Sequence, residues 1–404
     1  MTDSRSDNRP RGRRVTMAEA EQSVTPLELF FDLVFVYSIT QVTALMATDV
    51  SLVGLAQGLV VLGLVWWPWV GYAWLGNVIR ADAGLTRPMF LLVMAAMFVM
   101  ALSIPEAFQD IPGGLLAAAV VTGCYLVVRA AHWMLFWVAA ADDPRLRRQL
   151  LVWWPSIAVS VALLAAGAVV GGRWQLLLWV LALVADLGGT VLVGASGWLL
   201  RAPGHFSERH GLILIIALGE SIVAIGVGAT DLAISWPIMG AAGLGIVLSA
   251  ALWWLYFDSC AEVGERRLTE TTDRAERSAL GRDAYSLLHL PMIAGIVVMA
   301  LGLKKVLEYA GGEDDHVWSD ELHGLSMYVL PWGVALFLVG HLAFRYRIAH
   351  TTPISYVVAI VLLGVSGLLI EQLPVLVALL AVVALVLGLV ALDSLRPHRQ
   401  PEGT

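Results

Sequence analysis

Residues 28–36 read ELFFDLVFV, two carboxylates, Glu28 and Asp32, among seven apolar side chains. A spacing of four puts both on one face of a helix, about 6 Å apart along its axis. Two acids that close repel, so one stays protonated unless a cation stands between them. That is the chemistry of proton exchange or ion binding, and similar residues recur in later apolar runs. Tyr125, Arg129 and His132 share a helical face, and Arg129 is the one cation placed well inside such a run. Asp186 adjoins Gly188 and Gly189, which admit a neighbouring helix. The stretch 205–226, HFSERHGLILIIALGESIVAIG, carries Glu208, Arg209 and His210 near its start and Glu220 and Ser221 further on. Arg209 and Glu220, eleven apart, again share a face. His289 completes the candidate polar site. Arg129 is expected to neutralise Asp32 or Asp186, with His132 or Arg209 close to the first acid pair. Glu220 is expected to remain free to change protonation, and LGES at 218–221 is a candidate break in its helix that coordinates an ion.

Each residue also has a plainer reading. Glu28 in a first helical turn complements the helix dipole, and Ser207 suits an N-cap that explains Glu208. Arg209, Asp258, Asp283 and His341 at span ends can reach the interface. His289 fits a hydrogen-bonded interior histidine. Buried Asp–Arg pairs can serve only to fix how helices register. Most tryptophans suit interfacial anchoring.

The elements that hold these residues follow from composition. The 404-residue chain is 59% hydrophobic and 14% charged, with mean hydropathy +0.78, against about 25% charged in a soluble protein. The fold class is an all-α polytopic integral membrane protein. Twelve apolar runs are each long enough to span a bilayer. They lie at about 27–47, 52–76, 89–109, 113–138, 150–170, 174–199, 209–229, 234–257, 283–303, 322–343, 353–371 and 373–393. With both termini cytoplasmic, 21 of the 25 lysines and arginines fall on inner segments and three on outer ones, leaving Arg129 inside a span; that asymmetry sets the orientation. Residues 1–22 read as a disordered basic cytoplasmic tail, 23–395 as one transmembrane domain and 396–404 as a cytoplasmic C-terminal tail. The charged loop 258–282 reads as an amphipathic helix on the membrane surface or a solvated linker. Paired tryptophans (66–67 and 253–254), VMAL at 99–102 and 298–301, and His132 and His341 recur in the same order. They suggest two parallel six-helix repeats, 23–200 and 203–395. Two cysteines, Cys124 and Cys260, suggest no disulfide framework, and no His or Cys spacing suits a metal.

The acid pair in ELFFDLVFV and the run ERHGLI with LGESI resemble the bacterial low temperature requirement A family. The resemblance implies that Glu28, Asp32, Glu208, Arg209, His210, Glu220 and Ser221 are the family's polar signature. It also implies a multi-pass protein of the bacterial inner membrane. The family name records a cold-growth requirement and specifies no chemistry.

Twelve spans, two candidate repeats and intramembrane carboxylates together point to a secondary transporter or an ion or proton pathway. Its partners would be the lipid bilayer and a small solute or ion, with no nucleic acid and no cofactor. The chain carries no nucleotide-binding motif, so coupling would be to an ion gradient. The alternatives are a structural or membrane-state-sensing protein, or a membrane enzyme acting on lipid with acids and histidines (among them His205) holding a metal. The absence of HxxxH or DDxxD spacing argues against the enzyme.

Overall fold

The computed structural model describes residues 15–19, 22–230, 232–312, 324–370 and 373–395, with nothing said of the side chains of 368–370. Most of the expected basic tail, the C-terminal tail and the stretch 313–323 lie outside the described residues.

Among the described residues twelve long helices run in chain order: α1 Pro26–Thr48, α2 Leu52–Val78, α3 Thr86–Leu102, α4 Ala117–Ala139, α5 Pro144–Val170, α6 Gly172–Val193, α7 Pro203–Gly228, α8 Trp236–Glu270, α9 Arg274–Gly311, α10 Ser326–Ala349, α11 Ile354–Ile370 and α12 Val375–Ser394. Ten have the length and apolarity to cross a membrane, and α3 and α11 are shorter apolar helices. Among the described residues there is no strand, only a single antiparallel bridge between Met17 and Ile79.

Local chemistry sets where these helices start. Thr25 caps α1 and Pro26 occupies its first position. The Glu28 amide donates to Thr25 Oγ1 (3.3 Å) while the Thr25 amide donates back to Glu28 Oε2 (2.9 Å). Asp143 and Pro144 repeat the cap-then-proline device at α5. The Asp143 carboxyl is raised by burial. The Leu146 amide and the Arg274 guanidinium, 3.0 Å away, outweigh that and hold it below the usual carboxylate range.

The helices turn apolar faces outward and polar faces inward, as lipid requires. On α1, Leu29, Phe30 and Leu33 are exposed while Glu28, Phe31, Asp32 and Phe35 are fully buried. Helix α2 is almost entirely enclosed from Val60 to Val78. It packs against α1, α4, α6, α7 and α9, which makes it the axis of the molecule. The order of neighbours recurs. In 26–193 the first helix touches the second and third, the third the fourth, the fourth the fifth, the fifth the sixth and the sixth the second. The same pairs form in 203–394. Helices α9 and α10 meet backbone to backbone: a methyl group at Gly295 would overlap the Phe337 nitrogen, and one at Gly333 the Met299 nitrogen.

Three expectations need correcting. Helix α7 begins at Pro203, six residues before the expected start at 209. Its polar first turns lower the local hydropathy and disguise helix as loop. Ser207 is therefore no cap, and its hydroxyl meets Tyr285 Oη (3.2 Å). The loop 258–282 is no separate surface helix. Helix α8 runs on to Glu270 and α9 starts at Arg274, so the charged residues lengthen two spanning helices beyond the apolar layer. Each passes through a widened turn, at Phe257–Ala261 and Gly281–Leu287. In the second, the Leu288 amide reaches the Asp283 carbonyl five residues back (3.1 Å), a geometry that leaves carbonyls for other donors. The Ser286 carbonyl accepts from Trp66 Nε1 (3.0 Å). Finally, LGES at 218–221 is continuous helix. The space beside Gly219 is open, so no neighbour displaces its backbone.

Candidate functional site

Helices α1 and α7 carry matching ladders. Glu28 and Asp32 are four apart on α1, and His205 and Arg209 are four apart on α7. Arg209 Nη2 donates to Asp32 Oδ1 (2.6 Å), which also accepts from Trp69 Nε1 of α2 (2.7 Å). Arg209 Nη1 stands 3.5 Å from Glu28 Oε1, and His205 Nε2 lies 3.1 Å from the same oxygen. All four charged or titratable side chains are excluded from solvent. The guanidinium lies over the Trp69 ring, 5.4 Å from its centroid. Gly76 makes room, since a methyl group there would stand 2.4 Å from Glu28 Oε1. The cation between the first two acids is therefore Arg209, and the expectation that Arg129 serves them is corrected. Glu28 is both half of the capping box and part of this cluster.

Two turns further along the same α1–α7 contact, Thr40 Oγ1 donates to Glu220 Oε2 (2.6 Å). Thr43 presents a second hydroxyl to that carboxyl. Glu220 is buried, and no cation pairs with it among the described residues. Arg209 and Glu220 face the same helix, as their spacing implies.

On the other side of α2 lies a second network. Arg129 Nη2 donates to Asp186 Oδ1 (2.7 Å), and Tyr125 donates to Asp186 Oδ2 (2.5 Å). Of the two acids expected for Arg129, the structure supplies Asp186. His132 donates through Nε2 to the Gly71 carbonyl of α2 (2.9 Å), and Arg129 stacks over Trp153 at 4.7 Å. The candidate polar site is thus divided between two networks. The aromatic body of α2 separates them, with Trp69 turned to α1 and α7 and Gly71 turned to α4.

The remaining candidates stand apart. His210 donates to the Phe206 carbonyl (2.8 Å) and packs edge-on to Trp69, Tyr285 and His289. His289 bridges the Ala284 carbonyl and Tyr256 Oη. Ser221 joins α7 to Ser249 of α8 (2.7 Å). Glu208 is exposed, turned about 100° around α7 from Arg209, and it joins neither network. His341 is buried on the Leu255 carbonyl (3.1 Å) and does not reach the interface. Trp69 and Thr40 were absent from the expected site, Tyr125 was noted only as sharing the face of Arg129 and His132, and His205 only in the metal-holding alternative. The His205–Arg209 spacing, a mirror of Glu28–Asp32, was the signal for His205. Among the described residues no group of three or more His, Cys, Asp or Glu is placed to hold a metal.

The family model for the bacterial low temperature requirement A protein matches residues 23–391. The uncharacterized protein RA0937 of Rhizobium meliloti (strain 1021) is 27% identical over 353 residues, covering 84% of this chain and 81% of that protein. No solved structure matches the chain significantly. The family match takes in both networks and all twelve helices but the end of the last, and the chain belongs to the bacterial low temperature requirement A family of multi-pass membrane proteins.

Proposed function

We propose that the chain is a secondary transporter or ion pathway of a bacterial inner membrane, with Glu220 as the carboxyl that binds and releases a coupling proton. The setting of Glu220 carries this reading. It lies 17 residues from the start of α7 and 8 from its end, with hydroxyl partners alone. Gain or loss of a proton there breaks no ion pair, whereas at Asp32 or Asp186 it would strip a buried guanidinium of its partner. The recurring order of helix contacts supports two parallel repeats, 23–200 and 203–395, with α1 and α7 as equivalent first helices. Transporters place their sites at such repeat interfaces, and Glu220 meets Thr40 there. Arginines at the helix ends and in the loops on one side support a cytoplasmic placement of that side.

The test is proton flux in proteoliposomes under an imposed pH gradient. Wild type is expected to carry flux that Glu220→Gln abolishes without loss of folding. A wild-type rate equal to that of empty liposomes overturns proton conduction. A second reading, a structural or membrane-sensing protein, draws on the closed Arg129–Asp186 and Arg209–Asp32 pairs, which suit helices locked in register. It predicts that Glu220→Gln changes neither flux nor growth in the cold.

A further inference from the structure

We propose that the α4–α5 hairpin binds an anionic phospholipid, holding its phosphate with Arg145, Arg147 and Arg148 in the leaflet that the hairpin's loop meets. These three arginines crowd the first turns of α5 and are all exposed, and among the described residues none of them pairs with a carboxylate. That sets them apart. On the same side of the bundle, Arg80, Arg266, Arg267, Arg274, Arg282 and Arg345 each stand within 3.6 Å of one. Arg87 and Arg201 are exposed too, but each stands singly in its segment. The acids of the hairpin's own loop are already engaged. Asp143 holds Arg274 and the first amides of α5, and Asp142 has a partner of its own. The start of α5 is therefore a cluster of positive charge that the protein leaves unanswered, and an anionic headgroup supplies the complement.

Position selects a lipid over a dissolved anion. Arg147, Leu151 and Trp154 fall at i, i+4 and i+7, and Arg148 and Val152 at i and i+4. Each of these charges thus stands one turn from an exposed apolar side chain on the same helix face. Beside that face, Trp137 of α4 stacks on Trp133, with ring centroids 5.0 Å apart, and Trp133 packs on Trp154 of α5 at 5.5 Å. The Arg147 guanidinium lies 5.2 Å from the centre of the Trp137 ring. Indoles settle at the headgroup level of a bilayer, so this stack sets the depth of the arginines beside it. Their planar forks, which suit phosphate oxygens, meet the phosphate layer, and the acyl chains lie along the exposed apolar face. Neither buried network takes part, and neither does Glu220, so the site does not depend on transport.

The test is native mass spectrometry of the full chain in detergent, titrated with phosphatidylglycerol and with phosphatidylcholine of the same acyl chains. Phosphatidylglycerol is expected to bind about tenfold or more tighter, each arginine at an anionic headgroup contributing about fivefold. Arg147→Gln combined with Arg148→Gln is then expected to weaken phosphatidylglycerol about twentyfold and to leave phosphatidylcholine unchanged. Arg266→Gln combined with Arg267→Gln removes the same charge from arginines that already have carboxylates, and is expected to weaken neither lipid. Arg148→Gln alone disturbs no contact within the protein, so its loss of about fivefold decides the matter if the double variant is unstable. Equal binding of the two lipids, phosphatidylglycerol binding retained without Arg147 and Arg148, or an equal loss without Arg266 and Arg267 would each overturn the proposal. Inorganic phosphate that displaces the lipid at matching concentration would overturn it too, making the patch a site for dissolved anions.

Discussion

At the scale of single residues, Arg209 joins α7 to both acids of α1 and to α2. It meets Asp32 and Glu28 of α1 and covers Trp69 of α2. Removing it leaves two buried acids without a guanidinium, Glu28 with His205 and Asp32 with Trp69 alone. Arg209→Ala is expected to cost about 3–5 kcal/mol, the usual penalty for breaking a buried pair from one side. Fluorescence-detected gel filtration after heating would show the loss. Asp32→Asn in the same chain should recover part of it, while Asp186→Asn should recover none. The sequence made the acids legible, because a carboxylate in an apolar run is expensive and must be answered. It did not reveal which cation answers them. Arg129 stood out as the cation furthest inside an apolar run, whereas Arg209 stood at the first residue of its expected span, beside a polar stretch, and was expected only to lie close to the acids. Only the common spacing of four, Glu28–Asp32 and His205–Arg209, carried the true pairing.

At the scale of elements, glycines separate helices that need close approach from those that do not. Gly219 has open space beside it, and the helix through LGES is unbroken. Gly219→Ala is therefore expected to be neutral, or stabilising by up to about 1 kcal/mol. A hinge at that point would instead make it damaging. Gly295 lies against backbone of α10, and Gly295→Val should destabilise by about 1–3 kcal/mol or more through overpacking. Thermal melts of the two variants in detergent give the comparison. The number of helices was legible because twelve apolar runs are hard to misread. Their ends were less so. The α7 start was hidden by its own polar side chains, and the extensions of α8 and α9 were hidden by charge.

At the scale of the whole molecule, the asymmetry of arginines makes orientation testable. In a chain with Cys124→Ala and Cys260→Ala, a single cysteine at Arg266 and another at Trp174 should label from opposite sides with a membrane-impermeant maleimide. The cysteine at Arg266 should react only once the reagent reaches the cytoplasm. Labelling of both from one side would refute the topology. The α1–α7 ladder also bears on how the protein is made. Glu28 and Asp32 meet His205 and Arg209, each 177 residues later in the chain. At synthesis rates of about 5–20 residues per second, the first helix leaves the ribosome roughly 9–35 seconds before its counter-charges. Through that interval a segment with two unanswered acids faces the insertion machinery. It either enters with its carboxyls protonated or waits at the interface for α7. A chain interrupted before residue 209 is then expected to hold its opening segment less firmly in the bilayer than the full chain does, with only Thr25 and Trp69 left to answer the two acids.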